Sequence, residues 1–345
     1  MLLVKMFRPR PRTSNELRRI LVVSTTALGD TLWATPSIEN LRKKFPDAQI
    51  SVLTSPIGKQ ALLHHPQIDS IYLLEEPLLK NFFRLLRPLR KELFDAALVL
   101  HASQRLILPL LTLSGIPRIL GTAEKNKGLD ALLTTALPRH FEHEIERRAR
   151  IVRELGAKTT VETLSYFVRP QETLQALQFL GEKKDPRIAL HLGAREQYRR
   201  FPKKSYAALG KMLQRELQSE LFLTGTKDEE ELLLEVQKNL PEARIVIKPF
   251  RQFAAVLSLM DLVISTDTGP LHLACALNRP LVALFASSEP QLFGPYKAPL
   301  AKTITHRTSC SPCLKRKCHE PFCYLQFSLS QILNEAKEAL NPKTT

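Results

Sequence analysis

One segment in the C-terminal half combines a buried strand, a small-residue turn and a helix. Residues 262–265 are mainly apolar and predict a strand, residues 266–270 read Thr-Asp-Thr-Gly-Pro, and residues 271–277 predict a short helix. The first N–H groups of a helix lack an intrahelical partner and lie at the positive end of its dipole, so they favour phosphate. Asp267 and His272 flank this turn. An ordinary turn capped by Thr268, with His272 packed in the core, is the alternative interpretation.

A second segment of the same kind lies near the N-terminus. Residues 20–24 predict a first parallel strand, a turn ending in Gly29 and Asp30 follows, and a helical pattern continues to Leu41. Gly-Asp is also common turn chemistry, and Asp30 could cap the following helix. The two segments together offer a phosphate-friendly backbone in one half of the chain and a candidate base in the other.

Strand-like and helix-like runs alternate through both halves, which predicts parallel sheets with helices on both faces. The strand candidates are residues 20–24, 50–54, 71–74, 96–100, 119–121, 187–192, 220–224, 244–247, 262–265 and 281–285. The polar stretch 181–186 predicts a boundary between domains 1–180 and 181–345. Ligands of such sheets bind at the carboxyl ends of the strands, where Asp30, Gly193 and Asp267 lie.

The chain carries a formal charge of +16 and has a pI near 9.8, which predicts an acidic partner. Nucleic acid, an anionic membrane surface and a phosphorylated substrate all satisfy this condition. The apolar run 106–117 is shorter than the roughly 20 residues that a membrane span needs, and the N-terminal apolar stretch is too short for a secretory signal. We therefore expect a cytoplasmic protein.

Several motifs occur in an order that resembles the heptosyltransferases of glycosyltransferase family 9. They are residues 27–32, 36–46, 116–121, 143–147, 199–202, 265–272 and 293–296. The segment from Cys310 to Cys313 looks more like the second heptosyltransferase type than the first. The resemblance implies an α/β fold of the GT-B class, with two Rossmann-like doubly wound domains facing each other across a cleft. In such relatives the last helix, here residues 329–340, often packs back on the N-terminal domain.

The resemblance implies an inverting, metal-independent transfer of L-glycero-D-manno-heptose from ADP-heptose to the inner core of lipopolysaccharide. The acceptor would be Kdo or the first heptose on Kdo-lipid A, and Asp30 would be the general base. The alternatives are a GT-B enzyme that uses another nucleotide sugar or acceptor, a sugar-nucleotide epimerase of similar architecture, and a basic nucleic-acid-binding protein. The last is disfavoured because only 7% of residues are aromatic and the basic residues are dispersed.

Donor contacts are expected mainly in the C-terminal domain. The N–H groups of Thr268 and Gly269 would bind the phosphates, and Arg199 stands where relatives carry a lysine. The remaining predicted donor-binding residues are Gly193 and Ala194 near phosphate, Glu229 at the ribose, Asp267 at the sugar and His272 beside the phosphate turn. A plain tight turn is the alternative for Gly193, and complementing the helix dipole is the alternative for Glu229.

Acceptor contacts are expected in the basic N-terminal domain. The candidates are Gly29, Lys59, Arg84, Arg87, Arg90 and Lys91. The last four lie in a helix-like stretch with apolar residues, which could rest on the inner face of the cytoplasmic membrane as a peripheral surface. A solvated helix face is the alternative.

Four cysteines lie close together near the C-terminus, at Cys310, Cys313, Cys318 and Cys323. Four thiols can hold a structural zinc ion, which suits a reducing compartment better than disulfides do. Their spacing differs from paired zinc knuckles, and free thiols are the alternative. Cys275 lies in an apolar helical pattern and is expected in the core.

Overall fold

The computed structural model describes residues 17–311, 313, 318 and 322–341. The chain divides between Phe167 and Val168 into two compact units. The predicted boundary at Gly181 is therefore too late. The reason is that the helix Pro170–Leu180 packs against Phe250–Leu257 of the second unit.

Among residues 17–167, the strands form one parallel six-stranded sheet in the order β3-β2-β1-β4-β5-β6. The strands are β1 (Arg19–Ser24), β2 (Gln49–Thr54), β3 (Ser70–Leu73), β4 (Ala96–His101), β5 (Arg118–Thr122) and β6 (Thr135–Leu137). The helices are α1 (Leu28–Leu32), α2 (Thr35–Lys44), α3 (Pro56–Leu62), α4 (Leu78–Lys91), α5 (Ile107–Leu113) and α6 (Glu144–Arg153).

The described part of the second unit repeats this plan, with a parallel six-stranded sheet in the order β12-β11-β10-β7-β8-β9. Its strands are β7 (Arg187–His191), β8 (Glu220–Thr224), β9 (Arg244–Val246), β10 (Leu262–Thr266), β11 (Leu281–Phe285) and β12 (Ala301–Thr305). Its helices are α7 (Pro170–Leu180), α8 (Lys203–Leu217), α9 (Glu230–Gln237), α10 (Phe250–Leu257), α11 (Gly269–Ala276), α12 (Pro290–Phe293) and α13 (Leu329–Leu340).

The central strands are apolar on both faces because helices cover both sides of each sheet. In β1, Ile20 and Val22 pack in one core cluster, whereas Leu21 and Val23 pack in the cluster on the opposite face. Successive side chains of a strand point to opposite faces, so one short run of apolar residues supplies two cores. This arrangement confirms the predicted α/β class.

Both sheets have a point at which the strand order reverses. It lies between β1 and β4 in the first unit and between β7 and β10 in the second. Open parallel sheets bind ligands beyond the carboxyl ends of the strands at such switch points. Each predicted strand coincides with an observed one, but β6 and β12 escaped prediction. Strand β6 has three residues, and β12 reads Ala-Lys-Thr-Ile-Thr at a sheet edge with only Ile304 buried.

The predicted N-terminal helix differs from the observed structure. The pattern that continues to Leu41 is two helices, α1 and α2, which are separated at Trp33 and Ala34. Helix α13 has the predicted bounds, but its buried residues Ile332, Leu333 and Ala336 belong to the core cluster of the second unit. Its apolar face thus packs within its own unit, and the predicted return of this helix to the N-terminal domain stays a prediction.

Candidate active site

Asp30 lies in the first turn of α1, just beyond the carboxyl end of β1. Its carboxylate accepts a hydrogen bond from the Thr26 hydroxyl (Oγ1 to Oδ2, 2.8 Å) and another from the Arg148 guanidinium (Nη2 to Oδ1, 3.3 Å). The residue that caps α1 is Ala27, so the alternative role of Asp30 as a helix cap is wrong. The side chain is 19% exposed. The carboxylate is therefore fixed in position and still reachable from solvent.

Arg148 is the residue behind Asp30, and its side chain is completely buried. The guanidinium donates to the Glu144 carboxylate at 2.5 Å and to the Glu144 carbonyl at 2.9 Å, and it lies 5.3 Å from the centre of the Trp33 ring. Burial alone would raise the pKa of Glu144, but Arg148 and Arg147 outweigh it and hold that pKa well below its ordinary value. A buried arginine is tolerable only with such compensating charge.

His101 completes this cluster from the carboxyl end of β4. Its Nδ1 lies 2.7 Å from the Thr26 hydroxyl oxygen, and its Nε2 lies 3.7 Å from Asp30 Oδ1. Burial lowers the pKa of His101 to about 4, although Asp30 acts in the opposite direction. The ring is therefore neutral near neutral pH. The pairing of β1 with β4 shifts register at Ser24, which is opposite His101, and such bulges commonly redirect side chains at sites.

Asp267 occupies the corresponding place after β10 in the second unit. Its carboxylate accepts from Arg199 (Nη1 to Oδ2, 3.2 Å) and from Ser288 (Oγ to Oδ2, 2.5 Å). Its side chain is only 7% exposed. Burial raises the pKa of Asp267 above its ordinary value, although Arg199 and Ser288 act against this. The structure thus brings into contact Arg199 and Asp267, which were predicted separately as donor-binding residues.

Helix α11 begins at Gly269 with Thr268 at its N-cap position. The Thr268 side chain makes no capping hydrogen bond, and its hydroxyl donates to the Thr266 carbonyl at 3.2 Å. The alternative interpretation of a Thr268-capped turn is therefore wrong in its hydrogen bonding. His272 is 3% exposed, with Nε2 3.9 Å from Asp267 Oδ1. The first turn of α11 keeps its backbone donors clear of the threonine side chain, as a phosphate site requires.

Glu229 lies at the end of the short helical turn Lys227–Glu229 and is 7% exposed. Its Oε2 accepts from the Thr226 N–H and hydroxyl, both at 2.9 Å, and its Oε1 accepts from Arg200 at 3.2 Å. Burial opposes ionisation, but the Thr226 hydrogen bonds, His191 and Arg200 prevail, so the pKa of Glu229 lies below its ordinary value. Glu229 is therefore an ionised acceptor.

Gly193 approaches Glu229 closely at the carboxyl end of β7. A Cβ on Gly193 would lie 2.1 Å from Glu229 Oε2, which is far inside van der Waals contact. Arg200 also donates to the Ala194 carbonyl at 3.1 Å, so it connects the turn that follows β7 to Glu229. Close approach to Glu229 is a specific reason for glycine here, and the predicted phosphate contact of Gly193 stays a prediction.

The predicted acceptor residues are scattered over the first unit. Gly29 is buried inside α1, Lys59 is exposed on α3, and the remaining ones are exposed on α4: Arg84, Arg87, Arg90 and Lys91. Arg84 is the one of these that binds neighbours, donating to Asn81 at 2.6 Å and to Glu75 at 3.1 Å. In the described part of the chain, no helix is long and apolar enough to cross a membrane.

The four C-terminal cysteines are the predicted zinc ligands. Over residues 17–311, 313, 318 and 322–341, no group of three or more His, Cys, Asp or Glu residues is arranged to hold a metal ion. The structural zinc at Cys310, Cys313, Cys318 and Cys323 stays a prediction. Cys275 lies in α11 and is half-buried, so the prediction of a core cysteine is met only in part; desolvation by its surroundings raises the pKa of its thiol to about 12.

Sequence reasoning missed several residues that the fold brings to these two places. They are Thr26, His101, Glu144 and Arg148 around Asp30, and Arg200 and Ser288 in the second unit. Arg148 directly follows the motif 143–147, and Arg200 is part of the motif 199–202. For Arg148 and Arg200, this position in or beside a predicted motif was the signal in the sequence that could have identified them.

Two Rossmann-like units in one chain, each with ionisable groups at its switch point, define the GT-B class of glycosyltransferases. The structure resembles a family 9 glycosyltransferase from Veillonella parvula (TM-score 0.83, 20% identity, 96% of this chain and 99% of that one). It also resembles the ADP-heptose LPS heptosyltransferase II of Escherichia coli (TM-score 0.76, 21% identity, 95% of this chain and 100% of that one). These likenesses confirm the predicted fold.

The sequence comparisons define the family. The model of glycosyltransferase family 9 (heptosyltransferase) matches residues 82–323. Lipopolysaccharide heptosyltransferase 1 of Campylobacter coli is 26% identical over 318 residues, which cover 83% of this chain and 89% of that protein. The chain belongs to glycosyltransferase family 9, the heptosyltransferases, as the motifs predicted.

Proposed function

We propose that this protein is an inverting glycosyltransferase that moves L-glycero-D-manno-heptose from ADP-heptose to Kdo or the first heptose of the lipopolysaccharide inner core. Family membership supports the reaction class, and the names of the relatives support this donor and acceptor. The observation that carries the mechanism is Asp30. It is a partly exposed carboxylate at a switch point, held by Thr26 and Arg148.

In the proposed reaction, the acceptor hydroxyl oxygen bonds to the anomeric carbon of the heptose. The bond from that carbon to the oxygen of the ADP β-phosphate breaks, and ADP leaves with the electron pair. Asp30 takes the hydroxyl proton. A single displacement inverts the anomeric configuration, and proton removal by a positioned base contributes about 10²- to 10⁴-fold to such a step.

The second unit would bind the donor. The N–H groups of Thr268 and Gly269 are the proposed contacts to the diphosphate, and Arg199 supplies positive charge beside them. Glu229 is ionised and lies beside Gly193 and Ala194, so it is suited to accept hydrogen bonds from ribose hydroxyls. Asp267 is buried and bound to Arg199, so we assign it mainly to positioning that arginine, with His272 packed behind it.

Helix α4 is the proposed contact with the inner face of the cytoplasmic membrane. Leu79 and Phe83 are 62% and 65% exposed, and they lie among exposed basic side chains. Exposed apolar side chains surrounded by cations suit the surface of an anionic bilayer. The enzyme would thereby stay near a lipid-linked acceptor.

The proposed function is tested by binding and turnover together. Thermal stabilisation by ADP-heptose, ADP, UDP and UDP-glucose ranks the donors, because a ligand of the native state raises its melting temperature. We expect ADP-heptose and ADP to stabilise the protein well beyond the uridine nucleotides. Mass spectrometry should then detect heptose added to Kdo-lipid A or heptosyl-Kdo-lipid A. Stabilisation by UDP-glucose alone would mean that the donor is a different nucleotide sugar. The absence of stabilisation by every nucleotide would contradict the proposed transferase function.

The membrane contact has its own test. Leu79→Ser/Phe83→Ser should release the protein from vesicles that contain anionic phospholipid, as measured by co-sedimentation. The matched control is Leu174→Ser/Leu177→Ser, which removes two exposed leucines from α7. Equal binding of both variants to the vesicles would remove α4 as the contact.

A further inference from the structure

The first unit contains a basic cavity that none of the predicted acceptor residues lines. It has a volume of about 350 Å³ and opens beyond the carboxyl ends of β4 and β5. Among the described residues that line it, four carry a positive charge and none is a carboxylate. The charged ones are Lys125, Lys127, Arg139 and Arg147. Concave surfaces of one charge concentrate ligands of the opposite charge.

Two of these cations share one carboxylate. Lys125 and Arg147 both bind Glu144, with Nζ and Nη2 at 3.0 and 2.7 Å from its carboxylate oxygens, and Arg148 binds the same carboxylate. Lys127 and Arg139 are exposed, and neither forms an ion pair with any residue in the described part of the chain. The cavity thus presents Lys127 and Arg139 to a ligand as cations without an ion-pair partner among the described residues.

The cavity lies beside the proposed base. His101 belongs to its lining, and the Nε2 atom of this ring is 3.7 Å from Asp30 Oδ1. Asn126 and Ser103 add neutral hydrogen-bonding groups to the wall. A volume of this size is at the lower end of small-molecule sites and accommodates about one sugar residue. A sugar bound here would contact His101, which lies next to Asp30, although Asp30 itself does not line the cavity.

We propose that this cavity binds an acidic group, a carboxylate or a phosphate, on the acceptor, with Lys127 and Arg139 as the principal contacts. The proposal rests on the proposed transferase function and specifies its acceptor site. It differs from the prediction that Lys59 and the basic residues of α4 hold the acceptor. Those side chains are exposed, and none of them lines the cavity.

The test uses Lys127→Gln/Arg139→Gln in the full-length chain. A matched control is Arg118→Gln/Lys158→Gln, which also removes two positive charges from the first unit. Arg118 starts β5 at the end opposite Thr122, which lines the cavity, and Lys158 is exposed. We expect the KM for the acceptor to rise about tenfold or more for each lost charged contact. The affinity for ADP-heptose should not change, and the control should match the wild type.

The identity of the acidic group is tested with modified acceptors. One carries the Kdo carboxylate as a methyl ester, and another lacks the lipid A phosphates. If the site binds a carboxylate, the ester should abolish the difference in KM between wild type and Lys127→Gln/Arg139→Gln. If it binds a phosphate, dephosphorylation should do so. A difference that survives both modifications would overturn the proposal.

The outcomes separate this inference from the proposed function. If wild-type protein neither binds ADP-heptose nor transfers heptose, the transferase function itself fails. If transfer occurs and Lys127→Gln/Arg139→Gln has the same acceptor KM as Arg118→Gln/Lys158→Gln, the function stands and the cavity is not the acceptor site. A weaker dependence of the acceptor KM on salt concentration in Lys127→Gln/Arg139→Gln than in the wild type would give independent support.

Discussion

The surroundings of Asp30 and of Asp267 are built from the same four groups. Each carboxylate follows a central strand, accepts from an arginine and from a hydroxyl, and has a histidine nearby. The arginine distances are 3.3 Å for Asp30 and 3.2 Å for Asp267, and the histidine distances are 3.7 and 3.9 Å. The hydroxyl distances are 2.8 and 2.5 Å.

Exposure distinguishes the two places. In the first unit the carboxylate is 19% exposed and its arginine, Arg148, is 0% exposed. In the second unit Asp267 is 7% exposed and Arg199 is 33% exposed. In the first unit, the solvent-accessible member of the ion pair is therefore the carboxylate. In the second unit it is the guanidinium. An accessible carboxylate suits proton removal, whereas an accessible guanidinium suits a diphosphate.

The largest effect should come from removing charge at Asp30. Asp30→Asn should lower kcat about 10²- to 10⁴-fold, because an amide cannot take the acceptor proton. The affinity for ADP-heptose should stay at its wild-type value. Asp267→Asn should instead weaken ADP-heptose binding, since it loosens Arg199. Steady-state kinetics and calorimetric titration with ADP-heptose measure the two effects.

Asp47→Asn is the control for both substitutions, because this carboxylate is exposed in the first unit. Substantial turnover in Asp30→Asn would mean that Asp30 is not the base. A lower kcat with unchanged donor affinity in Asp267→Asn would mean that Asp267 does not position a donor contact.

The two arginines should differ in what they do for stability. Arg148→Gln should cost about 1–3 kcal/mol of unfolding free energy, because Glu144 loses one of its cationic partners and retains Arg147 and Lys125. Arg199→Gln should cost about 1 kcal/mol or less, because the Arg199 side chain is partly exposed and Asp267 retains its hydrogen bond from Ser288, and it should weaken donor binding. Urea denaturation measures the first effect, and Arg153→Gln, an exposed arginine on the same helix as Arg148, is the control. Equal costs for Arg148 and Arg199 would contradict the assignment of one as buried support and the other as a contact group.

The strand and helix plan could be predicted because its signals are local. Runs such as residues 20–24 and 281–285 are apolar and short, and each lies between turn-forming residues. The exceptions show the limit of this signal. Strand β12 lies at a sheet edge and has only one buried residue, so its composition resembles that of a loop.

The site was predicted only where its residues lie in a strand–turn–helix motif. Asp30 and Asp267 were found because each follows an apolar strand. Arg148 contacts Asp30 across 118 residues, and His101 contacts Thr26 across 75. No local pattern encodes such a pairing, because it depends on which strands are neighbours in the sheet and on which helix covers them. The basic cavity has the same origin, since it joins residues that follow different strands.

A smaller effect should follow from a single methyl group at Gly193. In Gly193→Ala the new Cβ must displace the Glu229 carboxylate, so we expect a loss of about 1–3 kcal/mol and weaker binding of ADP. Glu229→Ala should relieve the clash, and the stability cost of the double variant should be less than the sum of the two. Gly121→Ala in the first unit is the control, since its Cβ would meet apolar atoms and no carboxylate: the Leu133 methyl groups at 3.1 and 3.5 Å and Val99 Cβ at 3.4 Å. If the stability costs of the two single variants add up to the cost of the double variant, the close approach of Gly193 to Glu229 does not constrain the site.

The smallest effect concerns two histidines that end strands in the two units. Burial lowers the pKa of both His101 and His191 to about 4, from an ordinary value of 6.5. The folded protein thus binds these protons less readily than the unfolded chain. The stability that depends on neutral rings is complete above the unfolded pKa, and it is lost as the pH falls from about 6.5 towards about 4.

Wild-type protein should therefore melt a few degrees lower at about pH 5 than at about pH 7.5. His191→Asn and His101→Asn should each reduce that difference, whereas His140→Asn, which replaces an exposed histidine, should not. His191 is the more buried ring, whereas the side chain of His101 is 26% exposed, so we expect the larger reduction from His191→Asn. Differential scanning fluorimetry at both pH values measures this. A larger reduction from His101→Asn would mean that protonation of His101 destabilises the fold more than protonation of His191 does, although the His101 side chain is the more exposed of the two.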